Sequence, residues 1–167
     1  SIAELHRKWW KRENEKILAS NYFPVKMPYG GLEIEVPPSK MAMRRMANAE
    51  AMADAGVPSD TLNVQGVSFG PAIMPALAGA GFEYDAHTSW SVPAYDSANL
   101  AKVNTFDPEH PIWQKYIQRL EPLLENWSWD TYLPSLADYL GPMDIVAGLI
   151  GSEKLAMELY DNPDDVK

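Results

Sequence analysis

Two Gly-Pro pairs, each followed by an apolar run that ends at glycine, constrain this chain more than any other feature. The first copy is FGPAIMPALAGAGFEY at Phe69–Tyr84, and the second is LGPMDIVAGLIGSEKL at Leu140–Leu155. Proline suits the first helical position, because the N–H it lacks would be unsatisfied there anyway. Glycine after an apolar run closes a helix without steric cost. A strand-like stretch precedes each copy: Leu62–Val67 before the first and TYLPSLADYL before the second. Each copy therefore reads as strand, Gly-Pro turn, helix. The first helix covers Ile73–Leu77, is interrupted by Pro75, and is closed by Gly79 and Gly81. The second covers Met143–Ile150 and stops at Gly151. Alternating strand and helix predicts an α/β fold with a parallel sheet. In such folds the loops leaving the C-terminal ends of the strands face the ligand. The plainer alternative is that Gly-Pro only breaks the chain and starts a helix.

The flanking segments supply further elements. Residues 4–19 are rich in helix formers, with apolar positions at Leu5, Trp9, Trp10 and Ile17, and predict an N-terminal helix. The run NYFPVKMP reads as a strand or extended segment. In YGGLEIEVPPSK the alternation of Leu32, Ile34 and Val36 with acidic residues predicts a half-exposed strand ended by Pro37-Pro38. A helix follows, with Ser39 as N-cap and Gly56 as the closing residue. Its Met41, Met43, Met46 and Met52 are read as core filler, with a soft binding surface as the alternative. The segment from Phe82 to Ser97 is read as extended or looped. Residues 107–127 predict the clearest helix. There Asp107 caps, Pro108 and Glu109 suit the first turn, and Ile112, Tyr116, Ile117, Leu120, Leu123 and Leu124 form one apolar face. Pro122 kinks or restarts it. SEKLAMELYDN predicts a further helix.

Charge and composition narrow the function. Residues 1–45 carry nine Lys/Arg against five Asp/Glu, whereas residues 46–167 carry five against eighteen. Such an acidic body argues against nucleic acid as a partner, since phosphate binding needs clustered cations. The basic start reads as a solvated helix face or as a helix lying on acidic surface elsewhere in the fold. No apolar run reaches about 18 residues, so no membrane span is expected. The first residues have no continuous apolar stretch of the kind a secretory signal needs. The chain has no Cys, which removes disulfides, thiolate catalysis and Cys-ligated metal from these residues. A cytoplasmic location is the expectation.

The closing residues DNPDDVK carry helix-start signals, with Asn162 as cap, Pro163 in the first turn, and Asp164 and Asp165 complementing the dipole. A single free turn is not stable alone. Residues 1–167 are therefore expected to be the N-terminal portion of a longer domain, because a complete α/β barrel needs about 250 residues.

Three quoted stretches carry a family likeness: PSDTLNVQGVSFGPAIMPALAGAGFEYDAHTSWSVPAY, FDPEHPIWQKY and LADYLGPMDIVAGLIGSEKLAMELYDNPDDVK. Together with HRKWWKRENEK and FPVKMP near the start, they resemble the uroporphyrinogen decarboxylase-like superfamily. The nearer likeness is to its broad bacterial branch, which includes cobalamin-linked methyltransferases. The second Gly-Pro block with its YDNPDDV tail carries the likeness best. It implies a partial TIM-type (β/α)8 barrel with parallel strands, here behind an N-terminal helical extension, with its active site at the C-terminal ends of the strands. It implies decarboxylation of a porphyrinogen, or methyl transfer between a corrinoid and a thiol or similar acceptor. The decarboxylases carry an arginine-rich segment near the N-terminus; its place here, YFPVKMPYGG, holds no Arg. That favours a methyltransferase-type member acting on a small molecule or a corrinoid-linked methyl group. The zinc-dependent members take a His-x-Cys and a later Cys from the second half of the barrel. Zinc and a corrinoid partner are accordingly expected of the whole enzyme and neither of these residues alone.

No catalytic residue is assigned, and the expected partner is a small-molecule substrate. The candidate contacts are Asp60 and Asn63 around the first strand, Trp90 in TSWSVP, and Asp138 and Asp144 flanking the second Gly-Pro pair. Asp60 lies in SDTL, a partial match to the substrate-binding aspartate context of the decarboxylases. Its plainer reading is a turn after Pro58-Ser59. For Asp144 the plainer reading is a first-turn carboxylate answering the helix dipole; for Trp90 it is simple packing. Glu83, Asp85 and His87 alternate, and on a strand they would share one face as a metal set; an exposed polar face is the alternative. His6 and His110 read as surface or capping residues. The rival to the enzyme reading is an interaction module without activity. Such a module would pair with a second chain through an unclosed sheet edge, whereas a half-barrel would self-associate or pair with its missing half.

Overall fold

A computed structural model describes residues 2–18, 26, 28–55, 62–97, 106–129, 131–137 and 139–166. They form a mixed α/β fold. The helices are α1 (Ile2–Trp10), α2 (Met41–Asp54), α3 (Ile73–Leu77), α4 (Pro111–Asn126), α5 (Pro142–Ile150), α6 (Ser152–Asp161) and α7 (Pro163–Val166). The strands are β1 (Val64–Gln65), β2 (Gly81–Tyr84), β3 (Ser89–Val92) and β4 (Leu133–Pro134). Strands β1 and β4 pair in parallel, with Val64 beside Leu133 and Gln65 beside Pro134. Strands β2 and β3 make an antiparallel hairpin. Among the described residues no barrel closes. By their internal contacts the residues divide into two compact units, described separately below. The first holds Ser1–Gly30, Val36–Gly66 and Arg119–Ser135; the second holds Gly31–Glu35, Val67–Gln118 and Leu136–Lys167.

In the first unit, α1 is shorter than the sequence predicts. Its terminus is a Schellman arrangement: Glu13 N–H donates to the Lys8 carbonyl at 2.8 Å and Arg12 N–H to the Trp9 carbonyl at 2.9 Å. Arg12 occupies the left-handed position at φ 58°, where glycine is usual, so the stop carried no sequence signal. Helix α2 also departs from expectation. Ser39 lies in a 3-10 turn, Pro38–Lys40, and caps nothing; Lys40 precedes the α-helix. Of the methionines only Met41 is buried, while Met43, Met46 and Met52 are exposed. The buried face of α2 instead comprises Met41, Arg45, Asn48 and Ala49. Asn48 explains part of this polar choice: its amide donates to the Tyr29 carbonyl at 2.9 Å and accepts from Tyr29 N–H at 3.1 Å. The second half of α4 buries Leu120 and Leu123, as its apolar face predicts, but leaves Leu124 exposed. Buried Tyr132 donates its hydroxyl to the Leu123 carbonyl at 3.2 Å.

In the second unit, the strand expected over Leu32–Val36 is absent. Glu33 and Ile34 are adjacent and both buried, which a strand with one exposed face does not allow, and the chain turns at Ile34-Glu35. Helix α4 begins at Pro111 and not at Asp107. Asp107 closes a preceding turn, accepting Glu109 N–H at 2.9 Å, and His110 Nδ1 accepts Ile112 N–H at 3.3 Å, the capping role expected of it. Pro75 sits third in α3, where its missing N–H has no helical partner to lose. The apolar core gathers Leu149, Ile150 and Leu155 with Ala78, Ala80, Tyr95, Ile145 and Val146. The Leu149 carbonyl, orphaned near the end of α5, accepts the N–H groups of Ala94 at 2.9 Å and Tyr95 at 3.1 Å. Gly151, at φ 92°, ends α5 and leads directly into α6. Helix α7 forms where the DNPDDVK signals place it.

Two measurements check this account. Arg12→Gly is expected to raise stability by about 0.5–1 kcal/mol in urea unfolding, because glycine removes the left-handed penalty. Gly148→Val is expected to lower it by about 1–3 kcal/mol or more. A Cβ there would stand 2.6 Å from the Pro75 side chain and 2.9 Å from Ser91 Oγ.

Candidate functional site

The two Gly-Pro turns differ in how they work. Gly141 is extended (φ −63°, ψ 157°), Pro142 is the first helical residue, and α5 starts there, as expected. Gly70 is left-handed at φ 77°, and α3 starts only at Ile73. The first turn is held by the hairpin. Buried Ser89 accepts Ala72 N–H on its Oγ at 3.1 Å. A Cβ on Gly70 would meet that same Oγ at 2.4 Å. The loop before the turn is clasped as well: Glu33 N–H donates to the Ser68 carbonyl at 2.9 Å, and Glu33 Oε2 accepts Ser68 N–H at 3.2 Å. Glu33 is a buried carboxylate that the sequence reading took for part of an exposed acidic face.

The sequence candidates go to different places. Asp60 and Asp138 lie outside the described residues. Asn63 is in the first unit, one residue before β1, at the end of the parallel pair opposite to the one where α/β folds bind ligands. Its Nδ2 donates to the Thr131 carbonyl at 3.0 Å and its Oδ1 accepts Gln65 Nε2 at 2.9 Å, so the amide clamps β1 to β4. Trp90 and Asp144 belong to the second unit. Trp90 is exposed on β3 opposite Glu83, and its Nε1 donates to Glu83 Oε2 at 2.9 Å. The ring is tethered at its nitrogen with part of its surface open. Asp144 is exposed in the first turn of α5, the position where a carboxylate answers the helix dipole.

At the C-terminal end of the parallel pair stand two residues the sequence reading passed over. Ser135 N–H donates to the Gln65 carbonyl at 2.9 Å, and a Cβ on Gly66 would reach within 2.0 Å of Ser135 Oγ. Gly66 therefore leaves room for a hydroxyl at the end of the strand pair. The signal was available: VQG and LPS each put a small residue one step past a strand. This end can offer a hydroxyl and backbone groups to a polar ligand.

Elsewhere in the second unit, Glu35 Oε1 accepts the Tyr84 hydroxyl at 2.7 Å and Lys115 Nζ at 3.1 Å, tying the 31–35 loop to β2 and α4. The carboxylate beside the phenol pushes the Tyr84 pKa up. Glu83, Asp85 and His87 do not share a strand face. Strand β2 ends at Tyr84, and Asp85 and His87 belong to the hairpin turn. There Asp85 Oδ1 accepts the N–H groups of His87 at 2.7 Å and Thr88 at 2.8 Å. Among the described residues no group of three or more His, Asp or Glu stands together to hold a metal. With no Cys in the chain, the residues present do not fit a His-x-Cys zinc set. Among the described residues no helix is long and apolar enough to cross a membrane.

Those turn bonds, first from His87 N–H and then from Thr88 N–H, hold the Asp85 carboxyl below the usual aspartate range. A depressed folded-state value means that its contribution is present above the ordinary aspartate pKa. It is lost as pH falls through the folded value. An NMR titration should find Asp85 protonating at lower pH than a free aspartate, with the His87 and Thr88 amide shifts following it; Asp85→Ala should abolish that acid transition.

No family model matches the chain, and neither a curated protein nor a solved structure matches it.

Proposed function

We propose that this chain is the N-terminal portion of a uroporphyrinogen decarboxylase-like barrel enzyme of the methyltransferase type, acting on a small molecule or a corrinoid-linked methyl group. One observation carries the reading beyond the likeness of the sequence. Strands β1 and β4 are parallel neighbours, and each is followed by a loop, a Gly-Pro pair and a helix. Two adjacent β-loop-α units of this kind are what a (β/α)8 barrel repeats. The substrate-facing end in this reading is the one occupied by Gly66 and Ser135, where loops rather than strands supply specificity. In the second unit Trp90 and Asp144 keep exposed side chains, whereas in the first the Asn63 amide is already engaged. The chemistry of methyl activation would come from groups these residues do not supply. Their own share is to bind and orient.

The test is a methyl-transfer assay on the protein expressed from its whole reading frame. With a methylcorrinoid donor and a thiol acceptor, mass spectrometry should detect the methyl thioether, and Gly66→Leu should raise KM for one of the two substrates or abolish turnover. If the folded full-length protein forms no thioether from any of a panel of thiols, the methyltransferase reading fails.

A further inference from the structure

Two exposed helical surfaces in this chain are opposite in charge and alike in carrying bare aromatic rings. The first is α1. Trp9 is 43% exposed and Trp10 77%, and the two rings meet edge to face with centroids 5.1 Å apart. Around them lie Arg7, Lys8, Lys11 and Arg12, of which Arg7 pairs within the helix with Glu4 at 2.6 Å. The second is the α6–α7 segment. Tyr160 is 88% exposed and Met157 60%. At helical spacing they share a face with Glu153 and Asp161, and Asp164 and Asp165 follow on α7. The one cation of that segment within the described residues, Lys154, is engaged by Asp96 at 3.3 Å. Tryptophan and tyrosine at this exposure mark contact surfaces more often than scattered single apolar residues do.

We infer that α1 of one copy docks on the α6–α7 surface of a second copy, rings against rings, with lysine and arginine set against aspartate and glutamate. Because one chain carries both halves of the complementarity, a second copy is the partner that fits both. The contact is heterologous: a copy that has used its α1 still offers its α6–α7, so assembly runs head to tail into a ring or an open chain. An anionic membrane is the rival occupant of a basic helix with tryptophans. It fits less well, because residues 46–167 carry eighteen acidic residues against five basic ones and would be repelled by the same surface. The inference rests on surface chemistry alone and stands whatever reaction the protein performs.

Sedimentation velocity tests it. From about 1 µM to about 100 µM at low salt the average mass should rise. Raising salt to about 0.5 M should weaken association roughly tenfold, since exposed charges are then screened. Lys8→Glu/Lys11→Glu and Asp161→Lys/Asp165→Lys should each be monomeric by themselves, and an equal mixture of the two should associate again, because the reversed charges are complementary. Should a charge reversal disturb the helical circular dichroism, Trp10→Ser and Tyr160→Ser read the same contact and should each lower association at least tenfold. A monomeric wild type across this range overturns the inference, as does association that none of these variants changes. Wild-type monomer that co-sediments with phosphatidylserine vesicles also overturns it and assigns α1 to the membrane.

Discussion

The contact between Gly70 and Ser89 organises the second unit. Ser89 fills the space where a Gly70 side chain would be, and its hydroxyl oxygen satisfies the buried Ala72 N–H. Leaving that donor without a partner would cost about 1–3 kcal/mol. The left-handed turn can therefore exist only with the β2–β3 hairpin in place. Once it exists, α3 starts at Ile73 and presents Pro75 to α5. Helix α5 answers with Gly148, whose missing side chain lets it approach Pro75 and Ser91 at once. The Leu149 carbonyl near the end of α5 then takes both the Ala94 and Tyr95 N–H groups just past β3. Turn, hairpin and two helices thus close on each other through glycines and serines, and the larger apolar residues fill the space behind them.

In the first unit the equivalent constraint is polar. Asn63 ties the start of β1 to the segment before β4 through its Nδ2 while its Oδ1 holds Gln65 of β1, and Asn48 joins α2 to Tyr29 with both ends of its amide. A parallel pair of only two residues on each side has few ladder bonds of its own, so these side-chain clamps matter more than they would in a long sheet. They also direct attention away from Asn63 as a ligand contact and toward the other end of the pair, where Gly66 and Ser135 leave a hydroxyl uncovered by bulk.

Much of the helix pattern was legible because it rests on local rules. Pro142 after Gly141, Gly151 after an apolar run, and the i, i+4 apolar face of α4 each act within a few residues. Two of the misses have nonlocal causes and one a local one. Alternation over Leu32–Val36 imitated a strand, but Glu33 is buried by its two bonds to Ser68, far along the chain. The methionines of α2 imitated a core stripe, yet Arg45 and Asn48 took the buried face because Asn48 has a backbone partner at Tyr29. Helix α1 stops at an arginine in a glycine's conformation, and no residue type announces that. Of the candidate site residues, Asp144 sits in the first helical turn as its sequence position implies, whereas Trp90, for which simple packing is the plainer reading, is exposed. Ser135 and Gly66 become a pair only when β1 and β4 are laid side by side.

The sequence by itself determined that α5 starts at Gly141-Pro142 and ends at Gly151, and that two β-loop-α units recur, because those effects depend on backbone geometry within a turn. Tertiary structure alone decided which Gly-Pro turn would be left-handed, which carboxylate would be buried, and which small residues would meet just past the strand pair. Each of those depends on a partner atom supplied from elsewhere in the chain, Ser89 for Gly70, Ser68 for Glu33 and Ser135 for Gly66, and no local pattern encodes that meeting.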